Sequence, residues 1–169
     1  MAGSPPHYGN EALKHGRVEV NQLPYSLLWR AIEYQVLPTC VAHNVSVAAY
    51  SPLLHGLLTG KFATIDDVPP SRTISRHFPS SRPGTRHGEE GAESETFEAI
   101  RDIRDLCQES GLPMAQVAMT WLLHQKGIAT VVAGGRRADH VRQNAEAGSL
   151  ELSDDLVTAL TRLTNRLKE

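Results

Sequence analysis

Three short apolar segments, separated by helical patterns, constrain the fold of this chain more than any other feature. Residues 17–24 alternate between apolar and polar side chains, as in a half-buried strand that Pro24 ends. Residues 45–50 and 128–133 are continuous runs of small and β-branched side chains, typical of buried strands. Because helical patterns lie between consecutive strands, the sequence predicts parallel strands and an α/β fold.

The segments between and after the strands repeat apolar residues every three to four positions. We predict helices in 27–43, 94–111, 113–125 and 138–147, followed by a last helix that Ser153 caps. Pro38 falls inside the first of these helices and is expected either to kink it or to begin a second short helix. Residues 53–61, with two glycines, predict a loop or a single helical turn.

Two segments lack a regular pattern. Residues 63–93 contain four of the ten prolines, which predicts a long irregular loop of the kind that is functional or disordered. Residues 1–10 are expected to form a loose N-terminal segment, and 11–16 the last turn of a helix that Gly16 ends. The remainder, residues 11–169, is expected to form one domain, because one domain usually takes ~100–200 residues.

Composition argues against several classes of function. A net charge of −2 is unlike the basic surface of a nucleic-acid-binding protein. No apolar run approaches the ~20 residues of a transmembrane helix, and the first residues lack a signal-peptide pattern. Cys40 and Cys107 are expected to be reduced core thiols of a cytoplasmic protein. The eight histidines show no metal-ligand spacing, so we expect no metal site and histidines on loops or the surface.

A glycine-arginine turn is the first candidate site. Gly134, Gly135, Arg136 and Arg137 follow one predicted strand and precede a helix, where backbone N–H groups and guanidinium groups bind phosphate well. The same residues could equally form an ordinary turn with two solvated arginines. Neither the dinucleotide-binding pattern GxGxxG nor the phosphate-loop pattern GxxxxGK occurs.

The end of the 45–50 strand is the second candidate site, and the first strand supplies a third candidate. Tyr50 offers a flat ring for stacking, and the glycine-flanked loop up to Lys61 could hold phosphates. The alternative is a core tyrosine followed by a turn. Gln22, near the end of the first strand, could bond a polar ligand ring through its amide, or could be a strand amide satisfied within the protein.

Four stretches together resemble the C-terminal half of an aldo-keto reductase. They occur in the order of that family, at residues 18–31, 45–62, 112–123 and 131–147. By this resemblance the three strands correspond to strands six, seven and eight of a (β/α)8 TIM barrel. A complete barrel typically takes ~250 residues, so 169 residues imply a partial barrel over 11–169, with 63–93 as its long loop.

The resemblance implies NADP(H) as cofactor and assigns a role to each candidate residue. Gln22 would bond the nicotinamide amide, Tyr50 would stack on the nicotinamide ring, and Arg72 in the long loop would contact phosphate. The loop that passes the pyrophosphate would contribute Ser51, Pro52, Leu53, Gly56, Leu58, Gly60 and Lys61. The adenosine phosphate would be held by Gly134, Arg136 and Arg137, and the adenine end would lie near His140, Gln143 and Asn144.

The catalytic Asp, Tyr, Lys and His of the family correspond to no residue of this chain, so the expected catalytic set is empty. Tyr25, Tyr34, His55 and Lys61 match other family positions, and residues 3–9 stand where the family has the Ser-Asn pair that holds the carboxamide. The family reduces aldehydes or ketones by hydride transfer. We expect this chain to retain only the cofactor-site half and to be inactive alone.

Two alternatives accompany this expectation. The chain could be a pseudoenzyme or interaction module, such as a truncated isoform or fragment, that pairs with a second copy or another chain through exposed barrel edges, since open strand edges and an apolar inner face seek partners. It could also be an incomplete version of a longer reductase. The carbonyl substrate cannot be derived from these residues.

Overall fold

The computed structural model describes residues 6–167, which contain six α-helices and three β-strands. In chain order these are α1 (Pro6–His15), β1 (Val20–Pro24), α2 (Val36–Ala42), β2 (Ser46–Tyr50), α3 (Glu93–Glu109), α4 (Met114–Leu123), β3 (Ile128–Val132), α5 (Ala138–Glu146) and α6 (Asp154–Leu163). Short 3-10 turns occupy Ala31–Glu33, Leu54–Thr59, Ile65–Asp67, Pro70–Arg72 and Asn165–Leu167.

The three strands form one parallel sheet in the order β1-β2-β3, which confirms the predicted α/β fold. Their last residues are in register, because Pro24 pairs with Tyr50 and Tyr50 pairs with Val132. The carboxyl ends of all three strands therefore lie at the same end of the sheet, and the segments that follow them start side by side. This end is where ligands bind in open parallel sheets.

One face of the sheet packs into the core, and the other is not covered by any described element. Leu23, Val47 and Ala49 belong to the covered face and to the core cluster. The opposite face carries Val20, Gln22, Tyr50, Thr130 and Val132, all of them exposed. We call this second surface the bare face of the sheet.

The prediction that 128–133 is a buried strand is wrong. No residue of β3 is fully buried, and Ala129, Thr130 and Val132 are exposed. The strand lies at the edge of the sheet, and a bulge inserts Ala129 between the residues paired with Val47 and Ala48. Only Ile128 and Val131 therefore reach the core cluster.

The prediction of one helix over 27–43 is also wrong in its first half. Ser26 and Trp29 close a tight turn through two backbone hydrogen bonds of 3.0 and 3.1 Å, and α2 begins only at Val36. Pro38 stands in the first turn of α2, where a backbone N–H has no partner within the helix, so it neither kinks nor breaks that helix.

A buried arginine explains why the chain turns where a helix was expected. Arg30 is 4% exposed, and its Nε and Nη2 donate to the carboxylate of Glu33 at 2.6 and 2.8 Å. Its Nη1 donates to the carbonyl oxygen of Thr161 at 2.7 Å and to two further oxygens near the end of α6. These bonds tie the segment after β1 to the C-terminal helix, 131 residues away in sequence.

The long loop predicted at 63–93 contains neither α-helix nor strand before Glu93, but it is packed rather than loose. Phe78 is fully buried, and His77 Nε2 donates to the carbonyl oxygen of Leu28 at 2.7 Å. Burial lowers the pKa of His77, so the ring stays neutral in this position. His77 lies on a loop, as the expectation of histidines on loops or the surface has it, but it is buried inside the protein.

The two ends of the chain complete the comparison with the sequence. α1 starts at Pro6, so residues 6–10 of the segment expected to be loose are helical, while residues 1–5 lie outside the described part. Ser153 caps α6 by accepting a hydrogen bond from the Leu156 N–H, as predicted. Both cysteines are free and buried, also as predicted.

Candidate functional site

Gln22 and Tyr50 lie on the bare face, close to the edge at which the strands end. Gln22 pairs with Ala48, two residues before Tyr50, and side chains two residues apart in a strand point to the same face. Tyr50 is 37% exposed, and Gln22 is exposed as well. The structure thus presents a flat aromatic ring and an amide side by side, as a planar ligand with polar substituents requires.

The loop that follows β2, residues 51–61, is built on buried leucines. Leu57 and Leu58 are almost completely inaccessible and belong to the core cluster, as does Leu54. Pro52 is buried as well. Among the loop residues predicted to pass a pyrophosphate, Leu58 and Pro52 therefore anchor the loop, and Leu58 has no exposed surface with which to contact a ligand. We call this segment the β2 loop.

The backbone of the β2 loop takes positive φ values over three consecutive residues, of which two are not glycine. Leu54, His55 and Gly56 have φ values of 39°, 56° and 93°, and Ser51 at the start of the loop has a φ of 55°. Non-glycine residues reach this left-handed region at a cost of about 1–2 kcal/mol each. Such conformations persist where surrounding packing holds them, and they cluster at ligand-binding positions.

Two cationic side chains lie against the turn at Gly56. A Cβ atom at this position would lie 3.1 Å from Arg72 Nη1 and 3.2 Å from Lys61 Nζ, closer than most real contacts. Arg72 Nη1 also donates to the carbonyl oxygen of His55 and so joins the long loop to the β2 loop. Glycine at 56 permits both the positive φ and the approach of the two cations.

A third cation, Arg136, belongs to the same electrostatic neighbourhood. The pKa of Lys61 is lowered, first by burial of its ammonium group and then by the positive charges of Arg72 and Arg136. Burial and the charge of Arg72 also lower the pKa of His55. Because each ammonium or guanidinium group opposes the charge of the others, an anion placed among them would be bound by all three.

The segment after β3, residues 133–137, is the β3 loop and is far more exposed. Gly134 has open space where a Cβ would stand, whereas a Cβ at Gly135 would lie 2.7 Å from Val141 Cγ2. Gly135 therefore lets the loop pack against α5, and Gly134 leaves room beside the loop. Arg136 and Arg137 are both exposed.

α5 is held in place by polar contacts, since none of its residues is fully buried. Asn144 Nδ2 donates to the carbonyl oxygen of Gly134 at 3.3 Å and so ties the helix to the β3 loop. Gln116 Nε2 donates to Glu146 Oε2 at 2.9 Å and to the backbone carbonyl oxygen of Gln143. The side chains of His140 and Gln143, predicted to lie at the adenine end, are exposed on this helix.

The structure separates the predicted site residues into three groups. Lys61 and Arg72 are brought together at Gly56, and the charge of Arg136 acts on Lys61, so we call these three side chains the cation cluster. Gln22 and Tyr50 share the bare face. Arg137 is paired with Asp139 instead, through two hydrogen bonds of 2.9 Å. Asp139 was missed in the sequence, although an acidic residue two positions after an arginine at a helix start was visible there.

Within residues 6–167, no group of three or more His, Cys, Asp or Glu side chains could hold a metal ion. No helix described there is long and apolar enough to cross a membrane.

Comparison with known proteins adds an independent line of evidence. The sequence profile of the aldo/keto reductase family matches residues 10–165. The NADH-specific methylglyoxal reductase of Escherichia coli is 28% identical over 94% of this chain and 45% of its own length. An aldo-keto reductase of Schizosaccharomyces pombe, named as using NADP(+), is 27% identical over 83% of this chain and 39% of its own length.

A solved structure agrees with the fold. The glycerol dehydrogenase of Gluconobacter oxydans superposes with a TM-score of 0.73 at 23% identity, covering 95% of this chain and 46% of that protein. This likeness shows the fold alone. The chain thus spans less than half the length of each of these relatives.

Proposed function

The chain belongs to the aldo/keto reductase family, and we propose that it binds NADP(H) and forms the cofactor-binding part of a reductase of aldehydes or ketones. The observation that carries the proposal is the packing of Lys61 and Arg72 against the turn at Gly56, where the charge of Arg136 also acts on Lys61, together with the exposed ring of Tyr50 at the end of β2. A cluster of cations suits a pyrophosphate, and a flat exposed ring suits a nicotinamide.

The residues present fit such a cofactor along its whole length. Gln22 would hold the carboxamide, and Tyr50 would stack on the ring from the bare face. The cation cluster beside the β2 loop would hold the pyrophosphate, with Arg136 reaching it from the β3 loop. The open space at Gly134 would admit the adenosine end, with His140 and Gln143 exposed on α5 beyond it.

The family relationship supports redox chemistry as the purpose of this site. When bound, the cofactor supplies a hydride to a carbonyl carbon. In the proposed arrangement, Tyr50 and Gln22 orient the nicotinamide and the cation cluster balances the phosphate charges. The strained β2 loop is already ordered by its leucines, so less conformational entropy is lost on binding.

We also propose that this chain alone does not reduce carbonyl compounds, because neither Tyr25 nor His55, among residues 6–167, is a suitable acid. General acid catalysis needs a proton donor within hydrogen-bond reach of the carbonyl oxygen. The Tyr25 hydroxyl is buried and donates to Glu33 at 2.8 Å, and burial raises its pKa. His55, beside the cation cluster, is disfavoured as a donor since its pKa is lowered. Carbonyl-dependent NADPH oxidation by the purified chain would contradict this part of the proposal.

Calorimetric titration of the purified chain with NADPH tests cofactor binding directly. We expect saturable binding, and about tenfold weaker binding after Lys61→Met, because a charge-assisted hydrogen bond to phosphate is lost. Lys126→Met is the matched control, since Lys126 is an exposed lysine just before β3, at the end of the sheet where the strands begin. Absence of binding up to millimolar NADPH, or equal weakening in both variants, would overturn the proposal.

The bare face favours a second function, association with another polypeptide. Val20, Tyr50 and Val132 are large apolar residues that are exposed on this one face, which is the inner face if the sheet belongs to a partial barrel. We propose that the polypeptide that binds the bare face is a second copy of this chain. Sedimentation at increasing protein concentration would show dimers that Val132→Lys abolishes, and a monomer at all concentrations would contradict it.

A further inference from the structure

An ion pair within the proposed adenosine-phosphate site has no role in the function proposed so far. Arg137 Nε and Nη2 donate to the two carboxylate oxygens of Asp139, each at 2.9 Å. This is a two-pronged guanidinium–carboxylate pair, the geometry in which arginine also binds phosphate. Arg137 therefore already holds an anion of this chain in the position in which it would hold a phosphate.

The neighbouring arginine behaves differently. The positive charge of Arg136 acts on Lys61, together with that of Arg72. Arg137, two residues before Asp139 and at the start of α5, acts instead on the Asp139 carboxyl. The charge of Arg136 thus acts on the cation cluster, whereas Arg137 is paired with a carboxylate.

The Asp139 carboxylate stays ionised and lies among the groups predicted to meet the adenosine end. Its pKa is lowered, first by the hydrogen bonds from Arg137 and to a smaller extent by the charge of His140. Its place in the first turn of α5 also favours a negative charge. An incoming phosphate at Arg137 or His140 would meet this negative charge at short range.

We propose that Asp139 is a specificity-determining residue that lowers the affinity of the site for the 2′-phosphate of NADP(H) by occupying Arg137. The inference rests on the proposed function, because it presupposes that a nicotinamide dinucleotide binds here. Arg137 can hold the 2′-phosphate only by releasing the Asp139 carboxylate, whereas NADH binding involves no such exchange. Asp139 thereby reduces the advantage of the phosphorylated cofactor over NADH.

The test compares the dissociation constants of NADPH and NADH for the full chain and for Asp139→Asn. Asparagine keeps the size of the side chain and remains favourable near a helix start. We expect NADPH to bind about threefold to fivefold more tightly after the substitution, as for an exposed ion pair, with NADH binding changed much less. The ratio of the two dissociation constants is a readout that a merely structural role of Asp139 would leave unchanged.

Arg137→Ala completes a double-mutant cycle. In the unsubstituted chain this change should weaken NADPH binding less than in the Asp139→Asn background, because Asp139 already engages Arg137. In the Asp139→Asn background it should remove the gain in NADPH affinity. Asp155→Asn, which removes an exposed carboxylate from the first turn of α6, is the matched control and should leave the ratio unchanged.

The outcomes separate this inference from the proposed function. Binding of both dinucleotides with a ratio that Asp139→Asn leaves unchanged overturns the role of Asp139 and keeps the cofactor site. A gain that persists without Arg137 overturns the exchange of partners. Failure of the unsubstituted chain to bind either dinucleotide overturns both proposals. A further titration uses adenosine 2′,5′-bisphosphate as the probe. Asp139→Asn should raise the affinity for this compound and leave the affinity for 5′-AMP unchanged.

Discussion

The β2 loop and the β3 loop both start at the carboxyl end of the sheet and both carry cationic side chains, yet they are built in opposite ways. The β2 loop stands on buried leucines and holds three consecutive residues at positive φ. The β3 loop has no buried residue, and α5 behind it is attached through polar contacts. Two loops at the same end of a sheet, both with arginine or lysine, can therefore differ in how firmly they are held.

This difference separates rigid positioning from adjustable recognition. In the β2 loop, core packing keeps a strained backbone in place, so Gly56, Lys61 and Arg72 meet at fixed distances. In the β3 loop, exposed side chains are held by hydrogen bonds to one another, and the Arg137–Asp139 pair can exchange partners. We infer that the β2 loop sets where a cofactor binds and that the β3 loop sets which cofactor is preferred.

The largest expected effect tests whether the β2 loop is part of the core. Leu57→Ala should lower the free energy of unfolding by about 3 kcal/mol, because it removes a fully buried side chain and leaves a cavity. Val141→Ala on α5, where the side chain is 56% exposed, should change it by less than about 0.5 kcal/mol. Urea denaturation of both variants measures the difference, and equal effects would show that the two loops are not built differently.

A smaller effect is expected within the β3 loop, where two adjacent glycines have different surroundings. Gly135→Ala should destabilise the protein by about 1 kcal/mol, since the new Cβ would meet Val141 and its backbone nitrogen. Gly134→Ala should be neutral or slightly stabilising, because open space surrounds that position. Thermal denaturation distinguishes the two, and a larger loss from Gly134→Ala would contradict this description of the loop.

The smallest effect concerns the pH dependence of the β2 loop. The pKa of His55 lies below its ordinary value of 6.5 because of burial and the charge of Arg72. Between the lowered pKa and 6.5, the unfolded chain binds more protons at this site than the folded chain does. The contribution of His55 to stability is therefore fully present above pH 6.5 and falls as the pH drops through that interval.

Arg72→Gln should raise the pKa of His55 toward 6.5, and NMR titration of the His55 ring measures the shift. Arg101→Gln, at an exposed position on α3, serves as the control and should leave that pKa unchanged. An unaltered His55 titration in Arg72→Gln would mean that the charge of Arg72 does not reach the β2 loop.

Local sequence patterns correctly predicted the elements whose conformation depends on residues near them in the chain. The parallel strands follow from the alternation of strand and helix patterns, the Ser153 cap from its residue type before a helix, and the places of Gln22 and Tyr50 from the strand patterns. The burial of β3 was predicted wrongly, because an apolar run does not reveal that its strand is an edge strand with a bulge. The helix predicted at 27–43 failed over its first half, where Arg30 is held by Glu33 and by oxygens 131 or more residues away.

By itself, the sequence determined that this chain forms a parallel α/β sheet with glycine-rich, cationic loops at the ends of two strands. Only the tertiary structure decided that Arg72 lies with Lys61 at Gly56, while Arg137 pairs with Asp139. The physical reason is that charge interactions depend on separations of a few ångströms. Those separations are set by how segments distant in sequence pack together, and no local periodicity encodes them.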